Sequence, residues 1–343
     1  MRVENPSSMR KDRGMEMMIR ARRNRRNASI RGLVRETRLS VDHLILPVFF
    51  HADAENVEIA SMPGCTRWSV IGLIEEVKRA WDLGIRAMVL FPKIEDSLKS
   101  MDGAECTNDE GLVPTVIRAI KKSCPGMCVI TDVALDPYSS DGHDGLVART
   151  CGGELKILND ETVEILCRQA LCHARAGADI VAPSDMMDGR VGAIRIALDE
   201  AGFIETGIMA YTAKYASAFY GPFRGALDSA PKEGDKKTYQ MDPANIREAV
   251  RELLMDEEEG ADIVMVKPAG PYLDVIARLR DETTLPMAAY QVSGEYLMIK
   301  SACASGWLDE KAVVMESLLG IRRAGADMIL TYFAKDAARY LAE

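Results

Sequence analysis

No apolar run in this chain approaches the roughly 18 residues that a membrane span requires. The longest candidates, such as 44–50 (LILPVFF), have strand length, so no membrane partner is expected. The first 30 residues lack an apolar h-region, and no secretory signal is expected. The eight cysteines (Cys65, Cys106, Cys124, Cys128, Cys151, Cys167, Cys172 and Cys303) follow no framework spacing. They are expected to stay reduced, in cytoplasm or a plastid stroma. Cationic excess is missing too: 43 Lys and Arg face 52 Asp and Glu, a net charge of −9. That balance makes the chain a poor candidate for a generic nucleic-acid binder. No GxGxxG or GxxxxGK[ST] follows an early strand-like run, which weakens dinucleotide and P-loop readings.

What is present is ordinary globular material: 343 residues, 48% hydrophobic and 28% charged. One large α/β barrel fits that length as well as two domains do. Residues 10–38 gather eleven basic side chains: Arg10, Lys11, Arg13, Arg20, Arg22, Arg23, Arg25, Arg26, Arg31, Arg35 and Arg38. Residues 1–40 are therefore set apart as an arm that packs on a neighbouring subunit, in preference to an RNA-binding arm or a transit-peptide remnant. Residues 41–343 are expected to form one further domain, which would carry any catalytic site.

From residue 44 onward eight short β-favouring runs recur, at 44–50, 87–93, 128–135, 179–184, 207–213, 262–267, 287–293 and 328–333. Helical spacing fills 71–83, 112–122, 161–176, 242–259, 271–281 and 310–324. In 242–259, Asp242 is the expected cap, Pro243 the first helical residue, and Ile246, Val250, Leu253 and Leu254 one apolar face. A junction repeats as RAGADIV (175–181), EEGADIV (258–264) and RAGADMI (323–329), with a looser copy at Leu83–Ala87. Each reads as a helix end, a left-handed Gly, then a strand start. Together these features predict an α/β fold, a (β/α)8 TIM barrel with an extended N-terminal arm. Loops 94–110, 136–160 and 224–241 each follow a strand and so belong to the catalytic face.

The residues at strand ends are Lys93, Asp132, Asp136, Ser184, Asp185, Lys214, Lys267, Ser293 and Tyr332. Lys214 and Lys267 each end an apolar run, where burial lowers an amine's pKa and a second ammonium lowers it further. A neutral amine is what Schiff-base chemistry with a ketone needs. A single such lysine more often only snorkels or pairs with a carboxylate; two at equivalent strand ends point to function. The loop 131–145 holds Asp132, Asp136, His143 and Asp144. Its carboxylates read equally as acid–base groups, as ligands of a hard cation, or as turn chemistry. The 224–241 segment carries Arg224, Lys232, Lys236, Lys237 and Gln240 after Phe219, Tyr220 and Phe223, a composition that reads as a lid for an anionic substrate or as an ordinary solvated loop. Cys124 and Cys128 have no second pair to complete a zinc site.

Several long stretches carry a family resemblance: RRNRRNASIRGLVRETRLS, DVALDPYSSDGHDG, ADIVAPSDMMDGRVGAIR, YTAKYASAFYGPFR, GDKKTYQMDPAN, ADIVMVKP, AAYQVSGEY and LTYFAKDAA. On these the chain resembles the porphobilinogen synthase (5-aminolevulinate dehydratase) family from about Arg22 to its C-terminus. The resemblance implies condensation of two 5-aminolevulinate molecules with loss of two waters, in a homo-octamer whose arms embrace neighbours. It implies Schiff bases at Lys267 (propionate side) and Lys214 (acetate side), with Asp132, Asp136 and Asp144 moving protons. It implies that Arg224 and Lys236 hold one substrate carboxylate and that Ser293 and Tyr332 hold the other, with Gln240 and Phe223 also in contact. Where zinc-dependent members carry three cysteines, this chain has Ala134, Asp136 and Asp144, so no catalytic zinc is expected. The aspartate-rich loop matches the magnesium-responsive type. By position, Glu252 would hold hydrated Mg²⁺ near a subunit interface, with Asp185 and Arg190 nearby. One lysine alone would suffice for a class I aldolase-like barrel, which leaves the second unexplained. A decayed barrel with an RNA-binding arm fits poorly with intact Lys214, Lys267, Arg224, Ser293 and Tyr332.

Overall fold

The computed structural model describes residues 19–227 and 231–343. The side chain of Arg224 and the basic residues Arg10, Lys11 and Arg13 lie outside the described set. The chain divides into two compact units, one ending at Arg38 and the other spanning Leu39–Glu343. In the first, a 3-10 turn (Ala21–Arg25) precedes helix α1 (Ala28–Leu33), whose Asn27 cap accepts the Ile30 N–H at 2.9 Å. Neither element buries a residue.

The second unit is built on eight parallel strands: β1 (Leu44–Phe50), β2 (Ala87–Pro92), β3 (Cys128–Val133), β4 (Ile180–Pro183), β5 (Gly207–Lys214), β6 (Ile263–Lys267), β7 (Met287–Gln291) and β8 (Met328–Thr331). They pair in chain order, and β8 closes on β1 with Leu44 opposite Ile329. That closure makes a TIM barrel and removes sheet edges. Helices α2 (Val70–Asp82), α3 (Leu112–Ser123), α4 (Asn159–Ala176), α5 (Arg190–Glu200), α6 (Gly221–Leu227), α7 (Arg247–Glu258), α8 (Leu273–Arg280), α9 (Ser293–Ala304), α10 (Glu310–Ala324) and α11 (Ala334–Ala342) follow the strands.

The repeated junction has a physical basis in both of its parts. Gly177, Gly260 and Gly325 have φ of +101°, +95° and +125°, a region that side chains with a Cβ avoid. The Asp two residues on then clamps the neighbouring strand. Asp179 accepts the Val129 N–H at 2.7 Å, Asp262 that of Ile208 at 2.7 Å, and Asp327 that of Met287 at 2.9 Å. A cation backs each one: Lys121 and Arg280 at 2.9 Å, Arg195 at 4.0 Å. The motif thus sets the register of three strand pairs at the barrel's N-terminal rim.

Two expectations need correction. Helix α7 begins at Arg247, not at Pro243. Asp242 caps a tight turn instead, accepting the Ala244 N–H at 2.9 Å, because an Asp-Pro pair satisfies its own backbone locally. Ile246 and Leu254 are exposed, so the buried face is Ala249, Leu253 and Asp256. The expected loop 224–241 also starts later: α6 occupies Gly221–Leu227, and the aromatic residues before it pack inward. A two-stranded hairpin (Leu146–Arg149 with Leu155–Leu158) further orders the 136–160 loop.

Candidate active site

Strand register brings the chemistry together. Lys214 and Lys267 end β5 and β6 and are direct cross-strand partners, after an irregularity between Val264 and Val266. Both are buried, at 6% and 7% exposure. Asp132 comes from β3, and the chain just past β4 supplies Ser184. These groups line a cavity of about 40 Å³ with Asp136, Asp144, Lys236, Gln240, Phe91, Tyr220, Phe223 and Leu227.

The two lysines have different surroundings. Lys214 Nζ lies 3.2 Å from Asp144 Oδ1 and donates to the Ser184 carbonyl. Lys267 has no carboxylate within ion-pair distance among the described residues. Its Nζ faces rings instead, 4.5 Å from the Tyr290 centroid, 5.0 Å from Tyr211 and 5.3 Å from Phe223. Burial and then the Lys214 ammonium push the Lys267 amine down to about 7, against the pull of Asp132, Asp136 and Asp144. Burial, then Asp136, pushes the Asp132 carboxyl up to about 7, while Lys214 and Lys267 oppose that rise. A proton is therefore nearly balanced between an amine and a carboxylate at neutral pH, which suits acid–base work.

Asp144 is the hub of the lid contacts. Its Oδ2 lies 2.6 Å from Lys236 Nζ and accepts the Tyr239 hydroxyl at 2.9 Å. Burial alone would raise this carboxyl, but Lys214, Lys236 and Tyr239 hold it well below the usual carboxylate range. Lys236 also reaches Asp136 at 3.4 Å. His143 joins Tyr239 (Nδ1 to hydroxyl, 3.0 Å) to the lid backbone at Glu233 (Nε2 to carbonyl, 2.9 Å).

Lys214, Lys267, Asp132, Asp136, Asp144, Lys236, Gln240 and Phe223 thus share one cavity. Ser293 and Tyr332 stand behind its aromatic wall. Ser293 Oγ accepts the Phe223 N–H at 3.0 Å, and the Tyr332 hydroxyl pairs with that of Tyr290 at 2.9 Å. Arg224 lies on α6, one residue after Phe223, and its side chain is outside the described set. Tyr239, His143 and Tyr290 had no assigned role from the sequence. Tyr239 and Tyr290 sit inside recognisable motif stretches, yet nothing in their spacing shows which neighbours they meet.

A second cavity, of about 420 Å³, is lined by Glu252, Glu248, Asp188, Lys156, Lys237 and, again, Gln240. Asp185 does not line it. Asp185 is fully buried, 3.9 Å from Arg190, and accepts the Met187 N–H at 2.7 Å. Burial pushes its carboxyl up to about 6 against the pull of Arg190. Arg190 also meets Asp256 at 3.3 Å. Among the described residues no three His, Cys, Asp or Glu side chains are grouped to ligate a metal directly.

Residues 18–340 match the family model described as delta-aminolevulinic acid dehydratase. The chloroplastic delta-aminolevulinic acid dehydratase of Physcomitrium patens is 62% identical over 327 residues, covering 95% of this chain and 74% of the relative. That of Oryza sativa subsp. japonica is 57% identical over 342 residues, covering 99% and 79%. A crystal structure of the Toxoplasma gondii delta-aminolevulinic acid dehydratase, in complex with the reaction product porphobilinogen, matches with a TM-score of 0.93 at 54% identity. It covers 95% of this chain and 92% of that one. The chain belongs to the delta-aminolevulinic acid dehydratase family, and is a lyase that forms porphobilinogen in tetrapyrrole synthesis.

Proposed function

We propose that Lys214 and Lys267 each hold one 5-aminolevulinate as an imine, and that the two bound substrates condense on the enzyme. The observation that carries this reading is the pairing of two buried lysines at adjacent strand ends, one of them poised to be neutral. A neutral amine attacks the ketone carbon, a C–N bond forms, and the ketone oxygen leaves as water. Two imines account for both waters of the reaction. The iminium at Lys214 acidifies the adjacent C–H, and the resulting enamine carbon attacks the iminium carbon at Lys267. The amine of the Lys267-bound substrate displaces Lys214. Elimination then expels the Lys267 amine, and loss of a ring proton completes the pyrrole. Both lysines are regenerated. Asp132, near neutrality, takes and returns protons, while ionised Asp144 balances Lys214 and Lys236.

Substrate carboxylates are assigned to Arg224 with Lys236, and to Ser293 with Tyr332, with Gln240 and Phe223 in contact. Lys236 pairs with Asp136 and Asp144 across the cavity, so a substrate carboxylate that takes Lys236 draws it off those aspartates, and the 232–240 segment that carries it moves with it. Lys236 then exchanges an aspartate for a substrate carboxylate without losing its charge partner.

The magnesium-responsive type is part of the same reading. Hydrated Mg²⁺ keeps most of its waters and needs only one or two carboxylates. Glu252 fits, because its cavity is roomy and burial raises its carboxyl, with Asp256, Asp188 and Glu248 adding to the rise against the pull of Arg190. When bound, the ion would neutralise this acidic wall. Asp185 contributes by seating Arg190. Gln240 lines both cavities, which supports a link between this site and the lid. Glu252→Ala should abolish the Mg²⁺-dependent rise in melting temperature; an unchanged rise would remove Glu252 from the site.

Assembly as a homo-octamer through the arm agrees with the exposure of Ile19 and Leu33, at 86% and 84%. The plastid stroma is the proposed compartment, since the relatives above are chloroplastic. No described helix is long and apolar enough to cross a membrane. The decisive variants are Lys214→Met and Lys267→Met. Each should lower porphobilinogen formation by about 10³-fold or more in a folded protein. Product formed at near the wild-type rate by either variant would refute a two-imine mechanism.

A further inference from the structure

Glu295 lies outside the cavity, in the first turn of α9. Its side chain is buried, at 8% exposure, and its carboxylate accepts three backbone N–H groups. These are Val292 at 2.8 Å, Gly270 at 2.7 Å and Ala269 at 3.4 Å. The Val292 bond is the ordinary reach of a third-position glutamate back to its own helix start. The other two are not local: Ala269 and Gly270 are the second and third residues after Lys267.

Two glycines permit this arrangement. A Cβ on Gly270 would come within 2.6 Å of Glu295 Oε1, and a Cβ on Gly294 within 2.5 Å of the Phe219 carbonyl oxygen. On the same turn Ser293 Oγ accepts the Phe223 N–H. The start of α9 is therefore pressed between the backbone behind Lys267 and the backbone that carries the cavity's aromatic wall.

We propose that Glu295 is a positioning residue for porphobilinogen formation: its buried carboxylate clamps the chain after Lys267 to the start of α9, and so fixes where the Lys267 amine points. This rests on the reading of Lys267 as a reacting amine. A helix cap serving stability alone would not need acceptor bonds to a segment 25 residues away. Gln at this position keeps the shape but turns an NH₂ group toward a backbone donor, which then has no acceptor.

The test is amide hydrogen exchange and steady-state kinetics on the full-length Glu295→Gln and Gly270→Ala proteins. In Gly270→Ala the carboxyl group stays but its seat is filled, so the test survives if Glu295→Gln does not fold. Faster exchange at Ala269, Gly270 and Val292 is expected in Glu295→Gln, and at the same three positions in Gly270→Ala. In both, kcat should be lower by about tenfold or more with KM for 5-aminolevulinate nearly unchanged, because a small misplacement of a reacting group acts on the chemical step. A lower melting temperature with kcat within about twofold of wild type would overturn the proposal and leave a plain helix cap. Unchanged exchange at the three amides would show that the clamp is absent. Failure of the Lys267 reading is seen separately, as product formation by Lys267→Met.

Discussion

Replacing Lys214 by Met should move the titration of Lys267. An ordinary lysine amine, at about 10.4, is neutral in only about 4 molecules in 10⁴ at pH 7. Lys267, pushed down to about 7, is neutral about half the time there, a gain on the order of 10³ in reactive amine. Burial is the larger cause and the Lys214 ammonium the next. A methionine side chain would fill similar space without the charge, so the midpoint should rise from about 7 yet stay below the ordinary lysine value, because burial remains. Each unit of rise removes nearly a factor of ten from the neutral fraction on the acid side of the midpoint. Competitive acetylation across the range from about pH 5 to about pH 10 reads this directly, since only the neutral amine reacts and peptide mass mapping isolates Lys267. A wild-type midpoint near that of an ordinary lysine would refute the reasoning. So would a Lys214→Met midpoint at or below that of wild type.

Other consequences concern stability. Asp144→Asn breaks buried pairs with Lys214 and Lys236, which costs about 3–5 kcal/mol when one partner is lost. Because the Asp144 carboxyl is held below its unfolded value, its contribution is present above about pH 4 and is lost as pH falls through the folded value. Denaturant midpoints should therefore show wild type losing more stability than Asp144→Asn as the pH drops below about 4; equal losses would contradict the pairing. Asp262→Ala leaves the Ile208 N–H without its side-chain acceptor at the barrel rim and should cost about 1–3 kcal/mol in urea unfolding, with kcat of the folded protein unchanged.

Much of the barrel was legible because its causes are local. Apolar runs with β-favouring residues gave eight strands, and the Gly-Ala-Asp junction marked helix ends through a left-handed glycine. Lys214 and Lys267 stood out because a charge that ends an apolar strand is exceptional. Helices α5 and α9 were not legible: VGAIRIAL and GEYLMIKSA show no clean apolar stripe, and tertiary packing decides their faces. Helix α7 starts later than the proline signal implies, because turn chemistry at Asp242 outweighs it. Within the site, spacing could not reveal that Tyr239 and His143 brace Asp144, or that Glu295 meets Gly270. Those contacts join segments some 25 to 96 residues apart.

The central claim is that 5-aminolevulinate reacts with strand-end lysines. Borohydride reduction of the wild-type protein during turnover, followed by peptide mass mapping, tests it most directly. A substrate-derived reduced adduct on Lys267, with or without one on Lys214, is the predicted result. Inactivation with the adduct on another residue, or active enzyme that leaves both lysines unmodified, would contradict the account.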